Sequence, residues 1–206
     1  NGQTQVNAVE GSYTVVDEVV APVKARDFAL PATTDAAERE AQRERYEGEL
    51  VLPSQGYTVS NNFNLNNFAE IGLAVGDSPL ITPTEVARPG TPELDAVKAD
   101  NAARAIALDD GSSTNFLGGT TNQAIPLPWI SDGDVVRVNS AVTFTEPVVV
   151  DWRNSTWKFQ PTQQLTADGE APATFEDTRT VAPEPVGGDL TLATFNVLNY
   201  FSTTGE

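Results

Sequence analysis

Alternating apolar and polar residues recur along most of this chain, and a helical period interrupts them in two places. Residues 5–9, 12–20 and 23–31 read QVNAV, SYTVVDEVV and VKARDFALP, with turn signals at Gly11 and Pro22 between them. Such runs predict short strands, either the tail of a β-domain or a hairpin packed on the next one. Residues 33–46, TTDAAEREAQRERY, lack Gly and Pro and are rich in charge. Thr34 or Asp35 can cap a helix there, with Glu38 at capping-box spacing from Asp35. Few large apolar residues lie inside it, so a solvated surface helix is expected.

The pattern then returns to period two. YEGELVLPSQGYTV, 46–59, sets Tyr46, Gly48, Leu50 and Leu52 against Glu47, Glu49 and Val51, and Pro53 and Gly56 turn the chain, which predicts a strand pair. SNNFNLNNF, 60–68, holds five Asn and two Phe. It reads either as a connection with Phe63 and Phe68 packed inward, or as an exposed platform on which bases or sugars stack. EIGLAV, 70–75, is a further strand. Thr91-Pro92-Glu93 opens a helix with a capping hydroxyl, proline at the first position and an acid in the first turn. That helix runs to about Arg104 with Leu94, Val97 and Ala102 inward, and IALDDG follows as a strand. Strands are expected over 135–138, 141–150 and 156–160, the last two joined by DWRNS. Residues 166–188 carry little periodicity and read as a linker. Short strands around one central helix predict a mainly β fold, an OB-like partly open barrel with a short charged N-terminal helix. Periodicity alone leaves other small barrels open.

Composition narrows the chemistry. The 206 residues contain no Cys, no His and no Met. Disulfides and thiolate metal sites are excluded, and so are the commonest general base and transition-metal ligand. Without an initiator Met, the numbered chain reads as a processed product or an excised piece. Asp and Glu number 29 against 12 Lys and Arg, a formal charge of −17. A field of that sign repels phosphate backbones and suits divalent cations or a basic partner. No run approaches the length of a membrane span, and no signal peptide is visible. Acidity, absence of Cys and abundant Thr, Asn and Gly fit a secreted, extracellular bacterial protein.

Candidate sites are few. LDDGSST, 108–114, places Asp109 and Asp110 beside Gly111. The stretch fails the EF-hand template, and reads as a β-turn with solvated carboxylates or as a divalent-metal site at Asp109 and Asp110. Trp152 and Trp157 flank a corner, and Arg153 and Lys158 lie beside them. A packed pair closing a barrel end competes with a ligand cage. With Arg137 these residues form the candidate surface for a single-stranded nucleic acid or another substrate. Only four of the twelve basic residues fall after position 136, which is thin for a phosphate track. Gly118-Gly119 lacks the Lys or third Gly of a phosphate loop. The chain has no internal repeat.

The last strand-like stretch, DLTLATFNVLNYF at 189–201, wraps an apolar strand around Asn196. A buried amide without a partner costs on the order of 1–3 kcal/mol, so Asn196 needs one. The pattern resembles the first strand of the endonuclease/exonuclease/phosphatase superfamily, the deoxyribonuclease I-like metal phosphodiesterases. Thr194, Phe195, Asn196 and Val197 match that strand residue by residue, and the resemblance implies that Asn196 is the active-site Asn. YEGELV, NFNLNNFAEIGLA, LITPTEVARPG, DNAARAIALDDGSS, VRVNSAVTFTEPVVVDW and KFQPT, in this order, resemble the OB-like region ahead of the catalytic domain in secreted bacterial ExeM/NucH-type nucleases. The resemblance covers residues 20–201.

It implies an N-terminal β segment over 1–36, the tail of a preceding domain, then an OB-like barrel over 37–165. A linker over 166–188 and the first strand of a truncated catalytic domain over 189–206 follow. The implied function is that of a non-catalytic accessory domain of an extracellular metal-dependent nuclease. The downstream catalytic domain is its partner, nucleic acid is the parent's substrate, and Mg or Ca is the parent's metal. Here the metal-binding Glu, the Asp-x-Asn strand and the His are missing, so an inert fragment is expected. The alternatives are an OB-type binding module for single-stranded nucleic acid or polysaccharide, and a structural spacer.

Overall fold

The computed structural model describes residues 7–130, 135–194 and 196. Its strands are β1 (Arg26–Phe28), β2 (Leu50–Pro53), β3 (Tyr57–Asn61), β4 (Ile71–Val75), β5 (Ala105–Leu108), β6 (Ala141–Phe144), β7 (Val148–Arg153), β8 (Thr156–Pro161) and β9 (Ala173–Phe175). Its helices are α1 (Ala36–Glu44), α2 (Leu65–Phe68), α3 (Pro83–Val86), α4 (Pro92–Arg104) and α5 (Thr120–Gln123), of which only α1 and α4 exceed one turn. All nine strands join one sheet in the order β1-β2-β7-β8-β5-β4-β3-β6-β9. The pairs β1/β2 and β5/β8 are parallel, and the other six are antiparallel.

Sheet order and chain connection together force this sheet to curl. Between β2 and β3 lie five strand spacings, about 24 Å if the sheet were flat. Yet the chain passes from Pro53 to Tyr57 through residues 54–56 alone, a reach of at most about 14 Å. The two strands must therefore come together by bending the sheet between them. The result is a mainly β architecture, a nine-stranded curled half-barrel with few helices.

The concave side holds the core. Val51, Tyr57, Val59, Ile71, Leu73, Leu108, Val148, Val150 and Phe159 are almost wholly removed from solvent. Phe159 is the hub of an aromatic cluster, with ring centroids 5.3 Å from Phe144, 5.7 Å from Tyr57 and 6.0 Å from Phe28, all edge-on. Edge-to-face packing sets the positive rim of one ring against the negative face of the next. Burial raises the Tyr57 hydroxyl's pKa, and Gln55 Nε2 donates to its oxygen at 3.3 Å. Trp129 adopts a positive φ of 73°, costly for a bulky residue. Its Nε1 donates to the Ala69 carbonyl at 2.7 Å and its ring meets Phe175 edge-on, and these contacts hold it there.

Several expectations change. Residues 7–25 contain no strand and lie exposed, apart from the partly covered Ala25, so that of the three N-terminal runs only Arg26–Phe28 pairs; Gln5 and Val6 fall outside the described residues. β2 and β3 are both strands, but they pair with other strands and not with each other. Val51 and Pro53 face the core in β2 and not Leu50 and Leu52, because the inward phase is set by pairing with β7. Residues 135–138 form no strand. The expected strand over 141–150 breaks at Thr145, Glu146 and Pro147, where proline removes a ladder donor. β9 falls inside the span read as linker.

The helices start as expected and pack differently. Asp35 caps α1 by accepting from the Glu38 amide at 2.9 Å. The helix is not merely solvated, because Arg39 and Arg43 are buried. Arg43 donates to the carbonyls of Pro31, Ala103 and Ala105, tying α1 to the α4–β5 junction. Burial first, and the nearby Arg39 charge second, lower its pKa to about 10, so it stays charged at neutral pH. Thr91 caps α4, which buries Leu94 and Ala103, whereas Ala102 is exposed.

Phe159→Ala removes three ring contacts from the core and is expected to lower the unfolding free energy by about 3–5 kcal/mol. Phe63→Ala, at a residue 84 % exposed, is the matched control and should change it by less than about 0.5 kcal/mol. Denaturant titration of both variants reads the difference.

Candidate functional site

The residues with the most chemistry lie on the outer side of β4, β5 and β8. Along β8, Trp157 and Phe159 point to the core, so Lys158 and Gln160 point the other way. The antiparallel register pairs Ile71 with Leu108, and one step further out Glu70 stands opposite Asp109. Like charges facing across a ladder are destabilising. Lys158, next to Asp109 through the parallel β5/β8 pairing, resolves that conflict. Its Nζ lies 2.5 Å from Glu70 Oε2 and 2.8 Å from Asp109 Oδ2.

All three side chains are largely withdrawn from water. Burial lowers the pKa of the Lys158 ammonium, but hydrogen bonds and charge attraction from Asp109 and Glu70 outweigh it, and the net shift is upward. Further polar groups extend the network. Asn64 Nδ2 donates to Glu70 Oε1 at 2.8 Å, and Gln160 Nε2 donates to Asp109 Oδ2 at 3.1 Å and Asp151 Oδ2 at 3.3 Å. Arg153 Nε sits 3.4 Å from Asp151 Oδ2. The Asp110 amide donates to Asp109 Oδ1 at 2.9 Å.

Asp110 itself is fully buried. Its Oδ1 accepts from the Ser112 amide at 2.9 Å, while Oδ2 has no hydrogen-bond partner. Burial is the main reason its pKa is pushed up to about 6. The Ser112 amide opposes that rise, and the neighbouring Asp109 adds to it.

Two open clefts adjoin the network. One, of about 310 Å³, is lined by Asn64, Phe68, Glu70, Asp109, Arg153 and Lys158 among others. The second, of about 380 Å³, is lined by Asn61, Gly72, Ala105, Ala107, Trp152 and Trp157 among others. Trp152 and Trp157 are direct cross-strand partners, with rings 5.1 Å apart and tilted at 51°. Asn154 and Ser155 make the two-residue hairpin that brings them together, both with positive φ, 54° and 60°. Such turns match the twist of the strands they join. Trp157 is buried and donates through Nε1 to Glu40 Oε2 at 2.7 Å, whereas Trp152 is half-buried.

The structure thus gathers Trp152, Arg153, Trp157, Lys158 and Asp109 in one region and leaves two candidates outside. Arg137 sits on the loop feeding β6, beyond β5, β4 and β3 from β8. Asn196 is exposed and in no strand; Phe195 and residues 197–206 fall outside the described residues. Asp109 has both carboxylate oxygens engaged by protein donors, and Lys158 already places a cation against it, whereas Asp110 Oδ2 has no partner. Among the described residues no group of three or more acidic side chains converges as metal ligands. No helix among them is long and apolar enough to cross a membrane.

Glu70, Asn64, Asp151 and Gln160 were not among the sequence candidates. The available signal was Lys158 itself: a lysine between two core aromatics in WKFQ, on a strand flanked on both sides, needs acidic partners.

Because the folded-state pKa of Asp110 lies above its ordinary value of 3.8, the folded state holds this proton more tightly than the unfolded chain. Stability from this group is present below about pH 4 and is lost as pH rises to about 6, a fall of roughly 3 kcal/mol. Asp110→Asn keeps the oxygen that accepts from Ser112 and cannot titrate. Unfolding free energies at a series of pH values should show the variant gaining on the parent between pH 4 and 7, and a constant difference would refute the assignment. No family model, no curated protein and no solved structure matches the chain.

Proposed function

We propose that this chain is a non-catalytic accessory module, an OB-like barrel standing ahead of the catalytic domain of a secreted, metal-dependent nuclease. The observation that carries the reading is the path of residues 176–194. The core is complete once β9 has paired, and the chain beyond is exposed. Leu190 and Leu192 are 75 % and 86 % exposed although they open the apolar stretch that resembles a nuclease strand. Exposed strand sequences of that kind seek pairing. A following catalytic domain would take this segment as its first strand and bury Asn196 against a metal site.

The pairing order supports the OB-like part. β2 and β3 act as two halves of one long bent strand, the first half pairing with β7 and the second with β4. With β5 and β8 this makes a closed circuit of five elements, the strand count of that barrel. The charge chemistry supports the non-catalytic part. Lys158 is held as an ammonium between two carboxylates and cannot act as a base or nucleophile. The parent's Mg or Ca would be bound by acidic and imidazole groups of the catalytic domain.

Incubated with fluorescently labelled DNA and Mg²⁺ or Ca²⁺, the purified chain is expected to give no cleavage above buffer; turnover would overturn the non-catalytic reading. The polypeptide extended by whatever coding sequence follows Glu206 in the gene should cleave the same DNA. A chain ending at Thr180 should melt within about 2 °C of the full chain, since the removed residues add little to the barrel. A larger loss would mean that the segment belongs to this fold.

A further inference from the structure

We propose that the outer face of β4, β5 and β8 is a binding groove for a neutral oligosaccharide. The inference rests on the groove's own geometry and stands apart from the nuclease reading. The two clefts share Asn64, Glu70 and Thr156, so they form one continuous depression. Each lies at the lower end of the roughly 300–1,000 Å³ usual for small-ligand sites. Its floor is made by residues with little or no side chain, Gly72, Ala105 and Ala107. A methyl group at Gly72 would collide with the Asn61 amide, so glycine is what lets that amide lie across the floor.

Charge decides the ligand class. Glu70 and Asp109 are balanced by Lys158 and Arg153 along the first cleft, and the lining carries no net charge. A phosphate chain would meet two carboxylates in a protein whose overall field already repels it. A peptide that binds by adding a strand would need an open strand edge, and β4, β5 and β8 are each paired on both sides. A sugar needs neither. Its hydroxyls are donors and acceptors at once and suit a lining of amide, carboxylate, hydroxyl and guanidinium groups. Its C–H faces pack on aromatic rings, and the cleft beside Lys158 offers one, Phe68, 42 % exposed. The hydrogen-bonded chain from Asn64 to Gln160 fixes these polar groups before any ligand arrives, which lowers the ordering cost of binding.

The test titrates the intact chain with cellohexaose, xylohexaose, maltohexaose and chitohexaose, reading tryptophan emission and backbone amide shifts, with oligothymidylate in parallel. At least one hexasaccharide is expected to saturate with a dissociation constant on the order of 0.1–1 mM. Phe68→Ala and Arg153→Ala should each weaken it about ten-fold, with an unchanged melting temperature. Arg153→Ala alone decides if Phe68→Ala lowers the melting temperature. No response to any hexasaccharide up to about 5 mM, equal binding by the variants, or saturation by oligothymidylate alone would each overturn the proposal.

Discussion

The three residues between β2 and β3 are the constraint on which the rest of the molecule depends. Strands so close in the chain and so far apart in the sheet leave only one solution, a sheet that bends until its arms meet. Bending gives each strand a concave and a convex side with different demands. The concave side must fill a small interior, and it does so with aromatic rings meeting edge-on around Phe159. The convex side of β4, β5 and β8 is left with small residues and a polar network, and that side carries the candidate site. The same bend therefore produces both the core and the groove.

Within the groove, a local conflict is resolved by one side chain. Antiparallel register sets Glu70 against Asp109, and that pairing would repel if nothing stood between them. Lys158 bridges both carboxylates. Removing one member of such a buried set leaves an uncompensated charge, so the cluster has to be kept or replaced as a whole. Asp110 is the contrasting case. It lies next in the chain, fully buried, with one oxygen unpartnered and no cation to hold it. Two adjacent aspartates thus experience opposite environments: Asp109 lies against a buried ammonium, and Asp110, without one, has its pKa pushed up to about 6.

Local signals in the sequence were sufficient wherever a few neighbouring residues decide the outcome. Asp35 and Thr91 cap their helices as their positions imply, and the strands at 71–75, 105–108 and 156–161 follow their alternation. Long-range pairing was not legible. Leu50 and Leu52 look inward by hydrophobicity, but β7 sets the register and turns Val51 to the core. The charge-rich 36–44 stretch looks solvated, yet Arg43 finds three carbonyls from segments up to 62 residues away. Phe63 and Phe68, which could pack inward by composition, remain exposed in the connection between β3 and β4 that contains α2. At the site, Trp152, Arg153, Trp157, Lys158 and Asp109 were visible as residues. The acids that complete the network were not, because their meeting depends on which strands are neighbours.

The distribution of charge matters more than its sum. A net charge of −17 describes a surface that repels polyanions at a distance. In the cleft beside Lys158 the balance is local and even, two carboxylates against an ammonium and a guanidinium, and three of the four are tied into fixed hydrogen bonds or ion pairs with one another. Such a lining offers little long-range attraction to either sign of ion, so recognition there has to come from short-range hydrogen bonding and stacking. Screening by salt falls mainly on long-range interactions between exposed charges. Whatever occupies the groove should then be held with little dependence on ionic strength, the opposite of what a backbone-tracking nucleic-acid interface requires. An acidic exterior and a charge-balanced cleft are compatible in one module: the first repels polyanions at a distance, and the second would, on the proposal above, recognise an uncharged, hydroxyl-rich chain by short-range contacts.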